Sequence, residues 1–376
     1  MTRFLHTSDW QLGRTRDYLS PRGDDDPQAR YTSARIDAVR ELGRLARQEG
    51  CAFVLVAGDV FETQNVPASV VTRSLDAIAS IALPTYLLPG NHDSLEPGTI
   101  WDRLTLPPNA IVVRDDTPLH LPEGIELIGA PLRARHVHTD PLAQVARGLH
   151  ADGATRILLG HGQLAGLTGD TVSDALIDPE PLRQAIARGA LHYVALGDRH
   201  IAWPDDPHAT IRYSGTQETT SFTEPGRGTV VIVDLTSDGV ATRTVEVGTW
   251  LHTRVSRRMA SDADIDALDA DLSAFPRRDR TIVRHDLHGQ LTIAQKARLD
   301  ALLASHGEAF ASLEPSEHRS DLVVVPDRSD LAQADLPSWA RDAAEHLAES
   351  ARAGDRAAVD ALTLLHRLTL TTGADS

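Results

Sequence analysis

Five places in the chain carry side chains able to hold a divalent cation or move a proton: Asp9 with Gln11, Asp59, Asn91 with His92, His161, and Asp198 with His200. Carboxylate, amide and imidazole together suit a borderline-hard ion such as Mn, Fe or Zn. The only cysteine is Cys51, and an absence of thiolates argues against a structural zinc site. A lone Asp or His of this kind is ordinarily a turn former or a cap. The weight lies in five groups that each stand where an apolar run stops.

Those runs read as strands. Residues 3–8, 53–57, 85–88, 156–159 and 193–196 are aliphatic or β-branched, and each leads into one of the five groups. Gly58, Gly90, Gly160 and Gly197 lie beside the candidate ligands and permit a sharp turn there. Apolar positions on one face predict helices over about 33–49, from Pro67 to Ala82, at 141–150 and at 180–188. Strand and helix alternate, the signature of an α/β fold, in which ligands bind at the carboxyl ends of strands. A further strand is predicted at 125–130, and 228–235 with 240–247 reads as an antiparallel pair turning at Ser237-Asp238-Gly239. Composition shifts near 248–260, where Arg254, Arg257 and Arg258 cluster. Beyond it come helix 262–274, strand 281–287, helix 292–305 and strand 321–325, then two helices over 337–369 and a frayed tail at 371–376.

The chain has 376 residues, 41% hydrophobic and 24% charged, ordinary for a globular protein with one large domain and one or two small ones. No apolar run approaches 18 residues, so no membrane span is expected. One cysteine and no leader-like segment fit a reducing cytoplasm. The net charge of −16 counts against nucleic acid as a partner unless metal ions or local arginines reverse the field.

In order, the motifs resemble those of the calcineurin-like metallophosphoesterases: Asp-x-His, Gly-Asp-x-x-Asp, Gly-Asn-His-Asp, Gly-His and Gly-His-x-His. Leu5 to Trp10 and Tyr213-Ser214-Gly215 are similar to the DNA-repair exonuclease group of SbcD type. The resemblance covers residues 3–248 well and 250–330 loosely. It implies a β-sandwich flanked by helices (1–250), a small α+β capping domain (251–330) and a C-terminal helical segment (331–376). It also implies two divalent ions, with Mn the expected metal. Asp59 would bridge them, Asp9, Gln11 and His200 would hold one, and Asn91, His161 and Asp198 the other. His92 would meet the scissile phosphate as the catalytic group, while a water activated between the ions attacks phosphorus in line. DNA is the implied substrate. An SbcC-type ATPase and a second copy of the chain are the implied partners.

Gln11 and Asp198 depart from the pattern, each standing where the family has histidine, and Glu62 replaces an aspartate. The paired change marks either a harder site preferring Mn or Mg, or decay. Three functions follow. The first is a Mn-dependent DNA phosphodiesterase whose cap arginines Arg254, Arg257 and Arg258 touch the DNA backbone. The second is a phosphoesterase of small substrates, which suits the acidic charge. The third is a catalytically decayed scaffold for an ATPase.

Overall fold

The computed structural model describes residues 1–137, 139–167, 175–236, 239–316, 320–325 and 338–352, with scattered positions from 355 to 365. The chain divides into two compact units, Met1–His252 and Thr253–Ser376.

The first unit runs β1 (Thr2–Thr7), α1 (Pro27–Gln48), β2 (Val54–Val56), α2 (Ala68–Ile81), β3 (Thr85–Leu87), α3 (Ile100–Arg103) and β4 (Ala110–Val112). It continues through β5 (Leu119–His120), β6 (Ile125–Ala130), α4 (Pro141–Gly148), β7 (Thr155–His161), β8 (Gln163–Leu164), β9 (Leu176–Ile177) and α5 (Pro179–Ala187). It closes with β10 (Tyr193–Gly197), β11 (Ala202–Trp203), β12 (Ile211–Ser214), β13 (Thr229–Thr236) and β14 (Gly239–Glu246). Two six-stranded sheets result, ordered β14-β13-β1-β2-β3-β4 and β11-β12-β10-β7-β6-β5.

Alternation along the strands builds three apolar layers. Phe4, Phe53, Leu55 and Tyr86 of one sheet meet Leu127, Ile157, Leu159 and Tyr193 of the other, forming the sandwich interior. Leu5, Val54, Val56 and Leu87 point outward onto Ile36, Val39, Ala77 and Ile78 of α1 and α2. Ile128, Leu158 and Val194 do the same against Leu142, Ala146 and Leu182 of α4 and α5. Strands buried on both faces read as continuous apolar runs, which is why the sequence exposes them. The expected α/β sandwich flanked by helices is what the chain forms.

The parallel strands β1, β2 and β3 in one sheet and β7 and β10 in the other place their carboxyl ends at one edge of the sandwich. The sheets approach closely there. A Cβ on Gly197 would lie 1.8 Å from the Ala57 carbonyl oxygen, and one on Gly58 would lie 2.1 Å from His161 Nδ1.

Helix α1 starts at Pro27, about two turns before the expected residue 33. Asp26 caps it by accepting from the Ala29 N–H, and Pro27 needs no partner at the first position. The added turns carry polar residues, so apolar periodicity alone misses them. They place Tyr31 in the interior, and Arg35, within the expected span, is buried beside it.

His6 is sealed between the sheets, with Nδ1 3.0 Å from the Tyr193 hydroxyl and Nε2 3.2 Å from the Leu196 carbonyl oxygen. Burial pushes its imidazole from 6.5 down to about 3, against the opposing pull of the Leu196 carbonyl. On acidification the unfolded chain therefore takes up this proton first, and stability is lost as pH falls from 6.5 towards 3. One such proton is worth about 1.4 kcal/mol per pH unit. Denaturant unfolding of a His6→Gln variant between pH 6 and 4 is expected to show a slope shallower than wild type by about one proton. An unchanged slope would mean that His6 is protonated in the fold.

The second unit contains the rest of β15 (Leu251–Met259), then α6 (Asp262–Ser273), β16 (Thr281–Leu291), α7 (Ile293–Gly307), β17 (Ser312–Pro315), β18 (Asp321–Val324) and α8 (Ser338–Arg352). Met259, Leu268, Val283, Leu287, Leu299 and Phe310 form its core. Strand β15 carries Arg254, Arg257 and Arg258. Arg254 and Arg258 are exposed on one face, and Arg257 lies on the other, paired with Asp271. Ser237 and Asp238 of the expected hairpin turn, most of the second expected C-terminal helix and the tail at 371–376 lie outside the described residues. Among the described residues no helix is long and apolar enough to cross a membrane.

Candidate metal centre

The strand ends converge. Ligand atoms of Asp9, Asp59 and His161 all lie within 4.8 Å of one another. His161 Nε2 stands 2.9 Å from Asn91 Oδ1, 3.6 Å from Asp59 Oδ1 and 3.7 Å from Asp198 Oδ1. His200 Nε2 lies 3.8 Å from Asp9 Oδ1. The backbone carries strain at these points: Asp9, Gln11, Asp59 and Asp198 have φ of 54°, 42°, 54° and 91°. Left-handed backbone in a residue other than glycine costs about 1–3 kcal/mol and persists only where the surroundings impose it.

The hydrogen bonds fix which nitrogen faces the pocket. His161 Nδ1 donates to the Ala57 carbonyl at 2.8 Å, because a carbonyl can only accept. Its Nε2 lone pair therefore confronts three oxygens, an arrangement that needs a proton or a cation between them. Burial alone would push this imidazole down. Asp59, Asp9 and Asp198 outweigh burial and hold it up at about 9. Burial raises the carboxyls of Asp9 and Asp198, and their mutual proximity and that of Asp59 add to it, while the histidines oppose. Buried carboxylates crowded in this way suit divalent cations, and the donor set fits them.

His200 is braced from behind. Its Nδ1 lies 2.9 Å from Glu224 Oε1 and 2.7 Å from Thr220 Oγ1, which turns Nε2 towards the pocket. Burial would raise the Glu224 carboxyl, but His200 and Thr220 hold it down at about 2. His92 is half-buried. Its N–H donates to Asp59 Oδ1 at 3.0 Å, and its Nδ1 donates to the Glu62 carbonyl at 2.7 Å. Its Nε2 faces the pocket, 3.8 Å from Asp59 Oδ2.

Gln11 is also at the pocket, but its amide oxygen is engaged elsewhere. That oxygen accepts from Arg14 Nη1 at 2.5 Å, and its Nε2 lies 3.4 Å from His200 Nε2. Trp10 is fully buried, its indole N–H donating to Thr7 Oγ1, so it offers no face for stacking on a base.

Several positioning residues escape a reading by motif. Arg35, wholly buried, donates to the carbonyl oxygens of Asp9, Trp10 and Glu218 and so clamps the first loop. Asp93 accepts from the Gly90 and Phe61 N–H groups and ties two motif loops together. Burial, then Asp59, push its carboxyl up to about 7. Asp93 is within reach of a motif search as the fourth residue of Gly-Asn-His-Asp. Arg14, Arg35 and Glu224 sit at no spacing that marks them.

The model of the calcineurin-like phosphoesterase family matches residues 2–219, more than half of the chain. The chain is 29% identical over 133 residues to the SbcD component of the SbcCD nuclease of Bacillus subtilis, a stretch covering 34% of this chain and 28% of that protein. The likeness thus spans little more than a quarter of the relative's length. A dimetal phosphatase from Danio rerio is similar at a TM-score of 0.38 and 9% identity, over 65% of this chain and 99% of that one. Another crystal structure is similar at a TM-score of 0.40 and 12% identity, over 65% of this chain and 98% of that one.

Proposed function

The chain belongs to the calcineurin-like phosphoesterase family, and on that premise we propose that it is a Mn-dependent DNA phosphodiesterase acting in repair. Hydrolysis of phosphoric esters with divalent metals is the family's chemistry. The observation that carries it for this chain is the convergence of Asp9, Asp59 and His161 within 4.8 Å. The choice of DNA is supported by the likeness to the SbcD component of that nuclease.

In this reading Asp59 would be shared between two ions, Asp9 and His200 would hold one, and Asn91, His161 and Asp198 would hold the other. The bound ions supply Lewis acidity and a nucleophile at neutral pH. The residues do the rest. Glu224 fixes the ring of His200, and Ala57 fixes that of His161, so both present Nε2. The Glu62 carbonyl fixes the proton of His92 on Nδ1. His92 Nε2 is then the atom that takes up a proton and donates it to a phosphoryl or leaving oxygen.

The exposed Arg258 is assigned to phosphate-backbone contacts; Arg254, which donates to Ser316 Oγ at 3.1 Å, and Arg257, paired with Asp271, would share those commitments with the DNA. An SbcC-type ATPase, a second copy of the chain and a cytoplasmic setting belong to the same reading. Labelled single- and double-stranded DNA incubated with the protein and MnCl2 is expected to be cleaved. Turnover of bis-p-nitrophenyl phosphate with intact DNA would instead favour a small-substrate phosphoesterase, the reading that the net charge of −16 favours.

A further inference from the structure

Arg14 decides what Gln11 can do. Its Nη1 is 3.0 Å and 3.3 Å from the two carboxylate oxygens of Glu62 and 2.5 Å from Gln11 Oε1. Glu62 is itself anchored, its N–H donating to the Leu12 carbonyl and its carbonyl accepting from His92 Nδ1. A guanidinium has donors only, so the end of Gln11 that faces Arg14 must be its carbonyl oxygen. The other end, an NH2 group, is thereby aimed at His200 Nε2, 3.4 Å away. An amide NH2 has no lone pair for a cation. It is a donor, and it stands beside the side of the pocket built from Asp9 and His200.

The two sides of the pocket are therefore unequal. On one side Asn91, Asp59 and Asp198 each bring an oxygen to within 3.7 Å of His161 Nε2. On the other side His200 Nε2 has, among the described residues, a single carboxylate oxygen near it, Asp9 Oδ1 at 3.8 Å, and the Gln11 NH2, held by Arg14, stands 3.4 Å away. Resting on the metallophosphoesterase reading above, we propose that Gln11 is not a metal ligand but a hydrogen-bond donor to a phosphoryl oxygen of the substrate, with Arg14 as the residue that positions it. The pocket then holds one divalent ion firmly. An ion held by Asp9, Asp59 and His200 would be one protein donor short and exchangeable, with the phosphate that Gln11 helps to hold as a further ligand. The double departure from the family pattern becomes a redistribution: Asp198 strengthens one side, and the Gln11–Arg14 pair turns part of the other into a phosphate grip.

Titration of the metal-free protein with MnCl2, read by calorimetry and by the EPR signal of free Mn, separates the alternatives. Wild type is expected to take one ion at least tenfold more tightly than the second. Gln11→Ala is expected to leave both Mn affinities within about threefold while weakening inorganic phosphate binding to the Mn-loaded protein about tenfold. Arg14→Ala frees the Gln11 carbonyl to turn inward. It is expected to tighten the weaker ion several-fold and to weaken phosphate, a gain that misfolding cannot produce. If Gln11→Ala loosens an ion tenfold or more, Gln11 is a ligand and the proposal falls while the phosphoesterase reading stands. Two equally tight ions in wild type also overturn it. No bound Mn in wild type overturns both.

Discussion

Asp59→Asn is expected to lower phosphoester turnover about 10³-fold or more, without lowering the stability of the metal-free protein. Asp59 is the residue that both halves of the pocket share: its Oδ1 is 3.6 Å from His161 Nε2, and its carboxylate lies with Asp9 in the same 4.8 Å cluster. Replacing the carboxylate by an amide removes one full charge from a site suited to cations, and loss of a single electrostatic stabiliser at the reacting centre costs about 10²–10³-fold. On the proposed two-ion reading the loss would touch both ions, hence the larger figure. The fold loses little, because Asn keeps the oxygen that accepts the His92 N–H at 3.0 Å. It also gains relief, since Asp59 adds to the burial that raises the carboxyls of Asp9, Asp93 and Asp198. Against that relief stands the lost attraction to His161, which Asp59 helps hold at about 9, so the melting temperature in EDTA is expected to stay close to that of wild type. Wild type should gain several degrees on adding MnCl2, because a ligand that binds only the folded state stabilises it. Asp59→Asn should gain almost none. A variant that keeps its Mn-induced stabilisation, or keeps turnover within tenfold of wild type, would place the metals elsewhere.

The contrast between what the sequence reveals and what it hides follows from burial. Val54 to Val56 and Tyr193 to Gly197 are covered on both faces, so they appear as unbroken apolar runs, and the ligands follow directly where the runs end. The catalytic edge is legible for that reason. Strand β15 is different. Half-buried Val255 and Arg257 and buried Met259 alternate with exposed Arg254, Ser256 and Arg258, so charge masks the period of two and the segment reads only as a shift in composition. The burial of Arg35 in α1 is hidden likewise: its guanidinium is satisfied by the backbone carbonyls of Asp9, Trp10 and Glu218, a tertiary arrangement without a local signature. The role of Gln11 is the least legible of all. Its identity suggests a neutral oxygen ligand, and only Arg14, three residues on and held by Glu62, shows which end of the amide faces the pocket. Backbone strain at Asp9, Asp59 and Asp198 has the same character, because it is imposed by the meeting of two sheets and not by neighbours in sequence.

His92→Ala is expected to reduce kcat by about 10²–10⁴-fold with Mn stoichiometry and melting temperature unchanged, the range of a lost general acid–base group. The argument rests on what His92 does not do. Its Nδ1 is committed to the Glu62 carbonyl at 2.7 Å, and its Nε2 is 3.8 Å from Asp59 Oδ2, outside hydrogen-bond range and free to meet a substrate oxygen. The backbone N–H that braces Asp59 survives the substitution, so the metal pocket keeps its geometry. Two jobs remain for Nε2, and the leaving group separates them. A deoxyribose alkoxide departs poorly without a proton, whereas p-nitrophenolate departs readily. If His92 protonates the leaving oxygen, the variant should lose at least tenfold more on DNA than on bis-p-nitrophenyl phosphate. If it instead stabilises charge on a non-bridging oxygen, which both substrates develop alike, the losses should match within about threefold. A loss below fivefold on both substrates would remove His92 from the chemistry, and a loss of bound Mn would make it a ligand.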